Sequence, residues 1–194
     1  MNGRPSAAEV VTRLAGRPAS LNEVSRSPDE GGIPEEAGLY AWWVQRGAIP
    51  EVPFVPHPTE PETGLLYVGI SPRDEQSSMN LRDRVVRNHI GGNTGSSTLR
   101  FVLASLLMEG MGLKPLRMKT KVVLSGSDNS RLRDWQVKHL RLTWCEREAP
   151  WKVELEVIRA MRPPLNSRGN SAHEFRATVA SRRAAFREAA LSRR

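Results

Sequence analysis

The amino-acid sequence predicts an α/β domain of the α+β type: a small, mainly antiparallel central sheet flanked by helices, with helical extensions at the N- and C-termini. Two aromatic and apolar runs, GLYAWWV at 38–44 and LLYVGIS at 65–71, have the composition of buried β-strands. Helical spacing of apolar residues on both sides of this pair indicates the flanking helices. A chain of 194 residues can enclose one such core and carry an appended segment.

The chain before and between the two strand runs is predicted to form one short helix and two irregular segments. Residues 5–15 carry apolar side chains at helical spacing, and residues 16–37 are rich in Gly, Pro, Ser and acidic residues. We therefore expect residues 1–37 to form an N-terminal helix and connector. Prolines recur through residues 45–63, which predicts a long extended loop because proline fits neither a helix interior nor a central strand.

After the second strand run, helices alternate with one further strand. Residues 80–90 predict a helix with Leu81, Val85 and Val86 on one face. GGNTGSST then ends this helix and caps the apolar helix LRFVLASLLM; the segment is glycine-rich but lacks the lysine of a phosphate-binding P-loop. The remaining predictions are a strand at 119–126, a helix with room for a short strand within 131–147, an amphipathic helix at 149–161 and a basic helix at 171–194.

Charge and cysteine content narrow the classes of partner and compartment. The chain has 29 Lys and Arg residues against 21 Asp and Glu residues, a net charge of +8, which favours a polyanionic partner, nucleic acid first. A soluble protein with a high isoelectric point and no such partner would have the same charge. The single cysteine excludes an internal disulfide, and no Cys/His cluster indicates zinc. No apolar run is long enough to span a bilayer, so we expect a soluble, intracellular, cytoplasmic protein without a membrane partner.

Tyrosine and glycine recur in both strand runs. The tripeptides are GLY, ending at Tyr40, and YVG, from Tyr67 to Gly69. Glycine weakens a strand unless another group must approach its backbone, so Gly38 and Gly69 would admit either a phosphate or a neighbouring strand. The two tyrosines alone would be read as strand-core residues whose polar end finds a partner.

Three later features extend this pair into an ordered set. Arg84 follows in the first basic helix, Glu154 lies in the amphipathic helix, and Asn166 ends the segment PPLN. The ordered set resembles the GIY-YIG nuclease superfamily over roughly residues 38–170, with the proline-rich loop 45–63 inserted between its two motif strands. The resemblance implies a nuclease fold and catalytic roles for Tyr40, Tyr67, Arg84, His89, Glu154 and Asn166.

The resemblance also implies a metal site with one carboxylate. Glu154 matches the family's metal-binding position, and its spacing of 12 from Asn166 selects it over Glu156, which lies about 200° away on the helix. One carboxylate can hold a single Mg²⁺ or Mn²⁺ ion that keeps most of its waters, and no small-molecule cofactor is expected. Arg84 would place positive charge on a phosphate oxygen, and a tyrosine would orient or deprotonate the attacking water.

The histidine departs from the family pattern. Many members have a histidine four residues after the arginine, but here that position is Asn88 and the histidine is His89. One residue turns an α-helical side chain by about 100°, so His89 would regain the family position only if the helix ends near Gly91 and its last turn unwinds.

Other basic residues are candidate nucleic-acid contacts. We predict that Arg82 and Arg87 face the substrate, and that Arg100 contacts phosphate at the start of the apolar helix or is instead a structural or ion-pairing residue. Asn166 could equally be an ordinary turn residue after the prolines. Three functions follow: a metal-dependent DNA endonuclease, an inactive nucleic-acid-binding module of the same fold, or a protein whose basic surface binds another acidic partner.

Overall fold

A computed structural model describes residues 4–192, and a four-stranded antiparallel sheet lies at its centre. The strands are β1 (Ala19–Ser20), β2 (Gly38–Gln45), β3 (Thr63–Ser71), β4 (Pro115–Met118), β5 (Lys121–Leu124) and β6 (Leu140–Glu146). The order across the sheet is β1–β6–β2–β3, and β4 and β5 form a separate hairpin. The predicted fold class is confirmed.

Helices cover both faces of this sheet. They are α1 (Ala7–Leu14), α2 (Leu21–Ser25), a π-helix (Asp83–Ile90), α3 (Thr98–Met111), α4 (Gly126–His139), α5 (Glu154–Met161) and α6 (Arg176–Leu191), with 3₁₀ turns at Pro28–Glu30 and Pro150–Lys152. Side chains alternate between the faces of a strand. Leu39, Ala41 and Trp43 therefore pack with α1 and α5, whereas Tyr40 and Trp42 pack with the π-helix, α3, α4 and α6.

Two of the predicted elements differ from the structure. The strand expected at 119–126 exists as β5, but it pairs with β4 outside the central sheet. The third long strand of the sheet is β6, for which the sequence left room within 131–147. The helix expected at 149–161 begins only at Glu154, because Ala149 has a positive φ of 48° and a 3₁₀ turn follows it.

The segment 16–37, which was expected to be an irregular connector, contains β1, α2 and a 3₁₀ turn, whereas the second predicted irregular segment has no helix. Residues 46–62 form turns and irregular backbone with one isolated bridge from Pro56 to Gly64, in agreement with the predicted loop. The buried His57 in this loop bonds through Nε2 to the carbonyl of Gly16 at 2.9 Å. Between residues 4 and 192, no helix is long and apolar enough to cross a membrane.

Candidate active site

The two motif tyrosines lie side by side on one face of the sheet. In the β2–β3 pairing Tyr40 is opposite Gly69 and Trp42 is opposite Tyr67, which makes the tyrosines diagonal neighbours. A methyl group at Gly69 would overlap the Cζ and Oη atoms of Tyr40. Gly69 is therefore required by the phenol ring that lies across it.

The predicted reason for the two glycines is only half right. At Gly38 the close neighbour is a partner strand, as expected, because a Cβ there would overlap the carbonyl oxygen of Cys145 in β6. At Gly69 the neighbour is the ring of Tyr40, a possibility outside the predicted pair of phosphate and strand. Both glycines thus serve packing inside the protein.

Tyr40 and His89 form a buried hydrogen-bonded pair. The Tyr40 hydroxyl and His89 Nε2 are 2.7 Å apart, and His89 Nδ1 lies 2.7 Å from Ser97 Oγ. Tyr40 is 1% exposed and His89 is 0% exposed. Burial raises the pKa of Tyr40 and lowers the pKa of His89 well below its usual range, with Arg84 and Arg100 lowering the latter further. Both groups are therefore neutral at pH 7. Of the two, the neutral imidazole of His89 is the group that can accept a proton.

A π-helix brings His89 to this position. The Gly91 amide donates to the carbonyl of Val86, five residues earlier, at 2.8 Å. Each π turn holds more residues than an α turn, so residues five apart lie where residues four apart lie in an α-helix. Arg84 and His89 are five apart and share one side of this helix. The expected unwinding of the last turn before Gly91 is not what places His89, because the helix is widened over its whole length from Asp83 to Ile90.

A cleft of about 980 Å³ opens beside the tyrosine pair. Its walls come from β3, the π-helix, the start of α5 and two loops. Arg84 is partly buried in this wall, and its Nη1 donates to Asn88 Oδ1 at 3.2 Å. The residues with polar side chains that bear on the chemistry are Tyr40, Tyr67, Arg73, Asp74, Asp83, Arg84, Arg87, Asn88, Glu154 and Arg168.

Glu154 points into the cleft from the first turn of α5. Its side chain is 15% exposed, and the nearest cation is Arg168, whose Nη1 lies 3.7 Å from Oε2. Burial raises the pKa of the Glu154 carboxyl, and Arg168 offsets part of the rise. Glu156 is exposed and is not part of the cleft lining, as the helical spacing predicted.

The carboxylates of the cleft differ in their availability to a metal ion. Asp83 and Asp74 accept hydrogen bonds from neighbouring arginines at 2.6 and 3.0 Å. Glu154 has only its longer ion pair, so its oxygens are the ones open to a cation. Within residues 4–192 no group of three His, Cys, Asp or Glu residues could hold a metal ion. The cleft therefore offers a cation the carboxylate of Glu154, an oxygen ligand of the kind that hard divalent cations bind.

Asn166 is placed differently from the prediction. β3 is an edge strand, so the outward N–H and C=O groups of Val68 need partners from outside the sheet. The Asn166 amide supplies both: Oδ1 accepts from the Val68 N–H at 2.9 Å and Nδ2 donates to the Val68 carbonyl at 2.8 Å. Asn166 is buried and outside the cleft lining, so its role is to position the backbone next to Tyr67. The structure thus does not bring Asn166 into the cleft with the other predicted site residues.

Two of the three arginines predicted to contact nucleic acid are structural. Arg100 is 0% exposed, and its guanidinium donates to the carbonyls of His89 and Ile90, to Gln136, and to Asn129. Burial lowers its pKa to about 10. Its partners are neutral oxygens at the end of the π-helix and on α4, which is the structural alternative for Arg100 and places it away from the cleft.

Arg82 is the second of these. Its side chain is 17% exposed and donates to three carbonyls of the N-terminal connector, including that of Arg26 at 2.6 Å. Arg87 differs, because its side chain is 71% exposed at the cleft, beside Asp83. Of the three, only Arg87 lies where the prediction needs it.

Arg168 and Ser97 are site residues that the sequence analysis missed. Arg168 follows Asn166 by two residues in a loop without a helical or strand pattern, and only folding brings it to Glu154. Ser97 was expected to cap the apolar helix, and its Oγ does accept the Arg100 N–H at 3.2 Å. The same oxygen meets His89, a contact that no local spacing could indicate.

Comparison with known proteins gives one match. A family model described as the GIY-YIG catalytic domain matches residues 38–185, which include the three long strands of the central sheet, the residues that line the cleft and the first part of α6. No match is found among curated proteins or among solved structures.

Proposed function

The chain belongs to the GIY-YIG nuclease family, and on this premise we propose that it is a metal-dependent endonuclease that hydrolyses phosphodiester bonds in DNA. The observation that carries the proposal is the convergence on a single cleft of Tyr40, which is hydrogen-bonded to the buried His89 behind it, the partly buried Arg84 and the carboxylate of Glu154. The net charge of +8 supports a polyanionic substrate.

Tyr40 and His89 can activate a water molecule as a pair. Because burial raises the pKa of Tyr40, a free phenolate would be costly in this site. We propose that the Tyr40 oxygen accepts the proton of the attacking water while its own proton passes to His89 Nε2. This transfer requires the tautomer in which Nδ1 carries the hydrogen and donates to Ser97 Oγ. Because its lowered pKa makes His89 a weak base, His89 would hold this proton only during the reaction and then return it to Tyr40.

The other cleft residues would stabilise the phosphate. Arg84 offers fixed positive charge for a non-bridging oxygen as charge develops in the transition state. The Tyr67 hydroxyl, one strand away from Tyr40, can donate to another phosphate oxygen and so orient the group. Glu154 would hold the metal ion, which when bound supplies Lewis-acid stabilisation of the phosphate and of the leaving oxygen.

Cleavage of supercoiled plasmid tests the proposal. Wild-type protein should nick the plasmid with Mg²⁺ or Mn²⁺ but not with EDTA, and labelled RNA of the same sequence should remain intact. Arg84→Ala should lower the rate at least about 100-fold because a transition-state cation is lost. Arg159→Ala removes an exposed cation of α5 outside the cleft and should cleave as wild type does. Salt-sensitive binding without cleavage would instead support the inactive binding module.

A further inference from the structure

The β4–β5 hairpin is a second basic surface outside the cleft. Residues 114–121 contain four cations and no acidic residue. All four side chains are exposed, and within residues 4–192 none of them belongs to a salt bridge: Lys114, Arg117, Lys119 and Lys121. Four positive charges, half of the net charge of +8, therefore lie on the two-stranded ribbon and the residue just before it, with no ion-pair partner among the described residues.

The ribbon also exposes apolar side chains next to these cations. Leu116 is 40% exposed and Met118 is 62% exposed. In the β4–β5 register Met118 is opposite Lys121 and Leu116 is opposite Val123, so the two apolar side chains share a face with Lys121. This mixture of cations and exposed apolar groups suits a surface that has both phosphates and sugar or base edges.

The turn of the hairpin retains a lysine where a smaller residue would be less strained. Lys119 has φ of 54°, in the left-handed region that two-residue hairpin turns usually fill with Gly, Asn or Asp. A lysine in this conformation keeps positive charge at the tip of the ribbon in spite of the backbone strain.

Hydrogen bonds connect this ribbon to the wall of the cleft. The Asn93 amide bonds to the backbone N–H and C=O of Leu124 at 3.4 and 3.3 Å, and Thr94 Oγ1 donates to the Val122 carbonyl at 3.3 Å. The same loop accepts a hydrogen bond at Ser96 from Asn88, which lines the cleft. The ribbon is thus attached to the π-helix that carries Arg84.

We infer that the β4–β5 ribbon is a second contact for duplex DNA, one that holds the duplex while a phosphodiester bond occupies the cleft. This inference rests on the proposed nuclease function and adds the form of its substrate. A two-stranded ribbon fits the major groove of B-DNA, and unpaired cations on it neutralise phosphates along the groove. The structure assigns the double-stranded form because a lone strand offers no groove for the ribbon to enter.

Salt dependence of DNA binding tests this assignment. A fluorescent duplex is titrated by anisotropy in EDTA, where cleavage is blocked, at several salt concentrations. Changing all four cations to Gln should lower the slope of log K against log[salt] by about 3 to 4, since each neutralised phosphate contributes about 0.9. A control removes four exposed cations from the α1 and α5 side, namely Arg4, Arg13, Arg17 and Arg159, and should retain the wild-type slope.

A single variant guards against effects of misfolding. Lys119→Gly removes one charge at a position whose backbone conformation suits glycine, so its thermal midpoint should be no lower than that of the wild type. Its salt slope should fall by about 0.9.

Wild-type slopes in both ribbon variants, with wild-type cleavage intact, overturn the inference alone. A change in sedimentation without a change in slope also overturns it, because the ribbon would then join copies of the chain. Absence of binding and cleavage in the wild type contradicts the proposed function itself.

Discussion

The two sides of the cleft differ in how deeply their polar groups are buried and how closely those groups are hydrogen-bonded. On the side of β2 and the π-helix, Tyr40 and His89 are almost fully buried and 2.7 Å apart, and a second hydrogen bond to Ser97 fixes the imidazole. On the side of α5, Glu154 meets Arg168 only at 3.7 Å, and the arginine side chain is 78% exposed. The Tyr40–His89 pair is neutral and buried, whereas the Glu154–Arg168 pair is charged and its arginine is exposed to solvent.

This difference separates two requirements of phosphodiester hydrolysis. A proton-transfer pair works best when its geometry is fixed before the substrate arrives, because no reorganisation is then needed during the reaction. A metal-binding carboxylate must instead exchange one cation for another, which a weak and exposed ion pair permits. Changes on the first side should therefore alter both folding and catalysis, while changes on the second should leave folding almost unaffected.

Gly69→Ala should have the largest combined effect. The new methyl group would overlap the ring of Tyr40, which must move and lose its bond to His89. We expect the free energy of unfolding to fall by about 1–3 kcal/mol and cleavage to fall at least about 100-fold. Urea denaturation and plasmid nicking measure the two effects. Gly110→Ala is the control, because open space surrounds that helical glycine and alanine should stabilise α3 by roughly 0.5–1 kcal/mol. Normal cleavage by Gly69→Ala would contradict the packing role.

The buried imidazole should make folding sensitive to mild acid. Burial lowers the pKa of His89, and the nearby guanidiniums of Arg84 and Arg100 act in the same direction. Tyr40, Trp42 and Ser97 surround the ring, and none of them is charged at pH 7. Below about pH 6.5 the imidazole binds a proton in the unfolded chain but not in the folded chain. The contribution of His89 to the free energy of unfolding is therefore complete above pH 6.5 and decreases as the pH falls.

The expected decrease has a limiting slope of about 1.4 kcal/mol per pH unit. Urea denaturation of the wild type and of His89→Gln between pH 7.5 and pH 5 gives the contribution of His89 as the difference between the two curves. His139 also has a pKa lowered by partial burial, and its contribution cancels in that difference. Parallel curves would show that His89 is not held neutral.

Arg168→Ala should have the smallest effect on folding. The ion pair with Glu154 is long and the guanidinium is mostly exposed, so the free energy of unfolding should change by less than about 0.5 kcal/mol. Mn²⁺ should bind at least as tightly as to wild type, because a competing cation has left the carboxylate. Calorimetric titration with Mn²⁺ measures this, with Arg73→Ala, on the same cleft and 82% exposed, as the control. A decrease of more than about 1 kcal/mol in the free energy of unfolding of Arg168→Ala would contradict the distinction between the two sides.

Local patterns in the sequence predict the frame of this site. Apolar and aromatic runs predict β2 and β3, and tyrosine and glycine within them predict which residues share a face, because side-chain direction in a strand depends only on position. Helical spacing likewise separates Glu154 from Glu156, which the structure places in the cleft and in solvent. These inferences need no partner distant in the chain.

Long-range partners explain the predictions that failed. Arg84, Arg82 and Arg100 look alike in the sequence, but Arg82 reaches carbonyls 49 to 57 residues away and Arg100 is fixed by α4. Asn166 bonds to the outward backbone groups of β3, and only the strand order shows that β3 is an edge strand. His89 needs a π-helix, which no propensity in the segment distinguishes from an α-helix.

The comparison of Glu154→Gln with Glu156→Gln tests the central claim most directly. The two acids lie in the same turn of α5, but only Glu154 faces the cleft. Both variants should fold with the wild-type thermal midpoint within a few degrees. We expect Mg²⁺-dependent plasmid cleavage to disappear in Glu154→Gln and to be unchanged in Glu156→Gln. Equal cleavage by the two variants would contradict a nuclease site in this cleft.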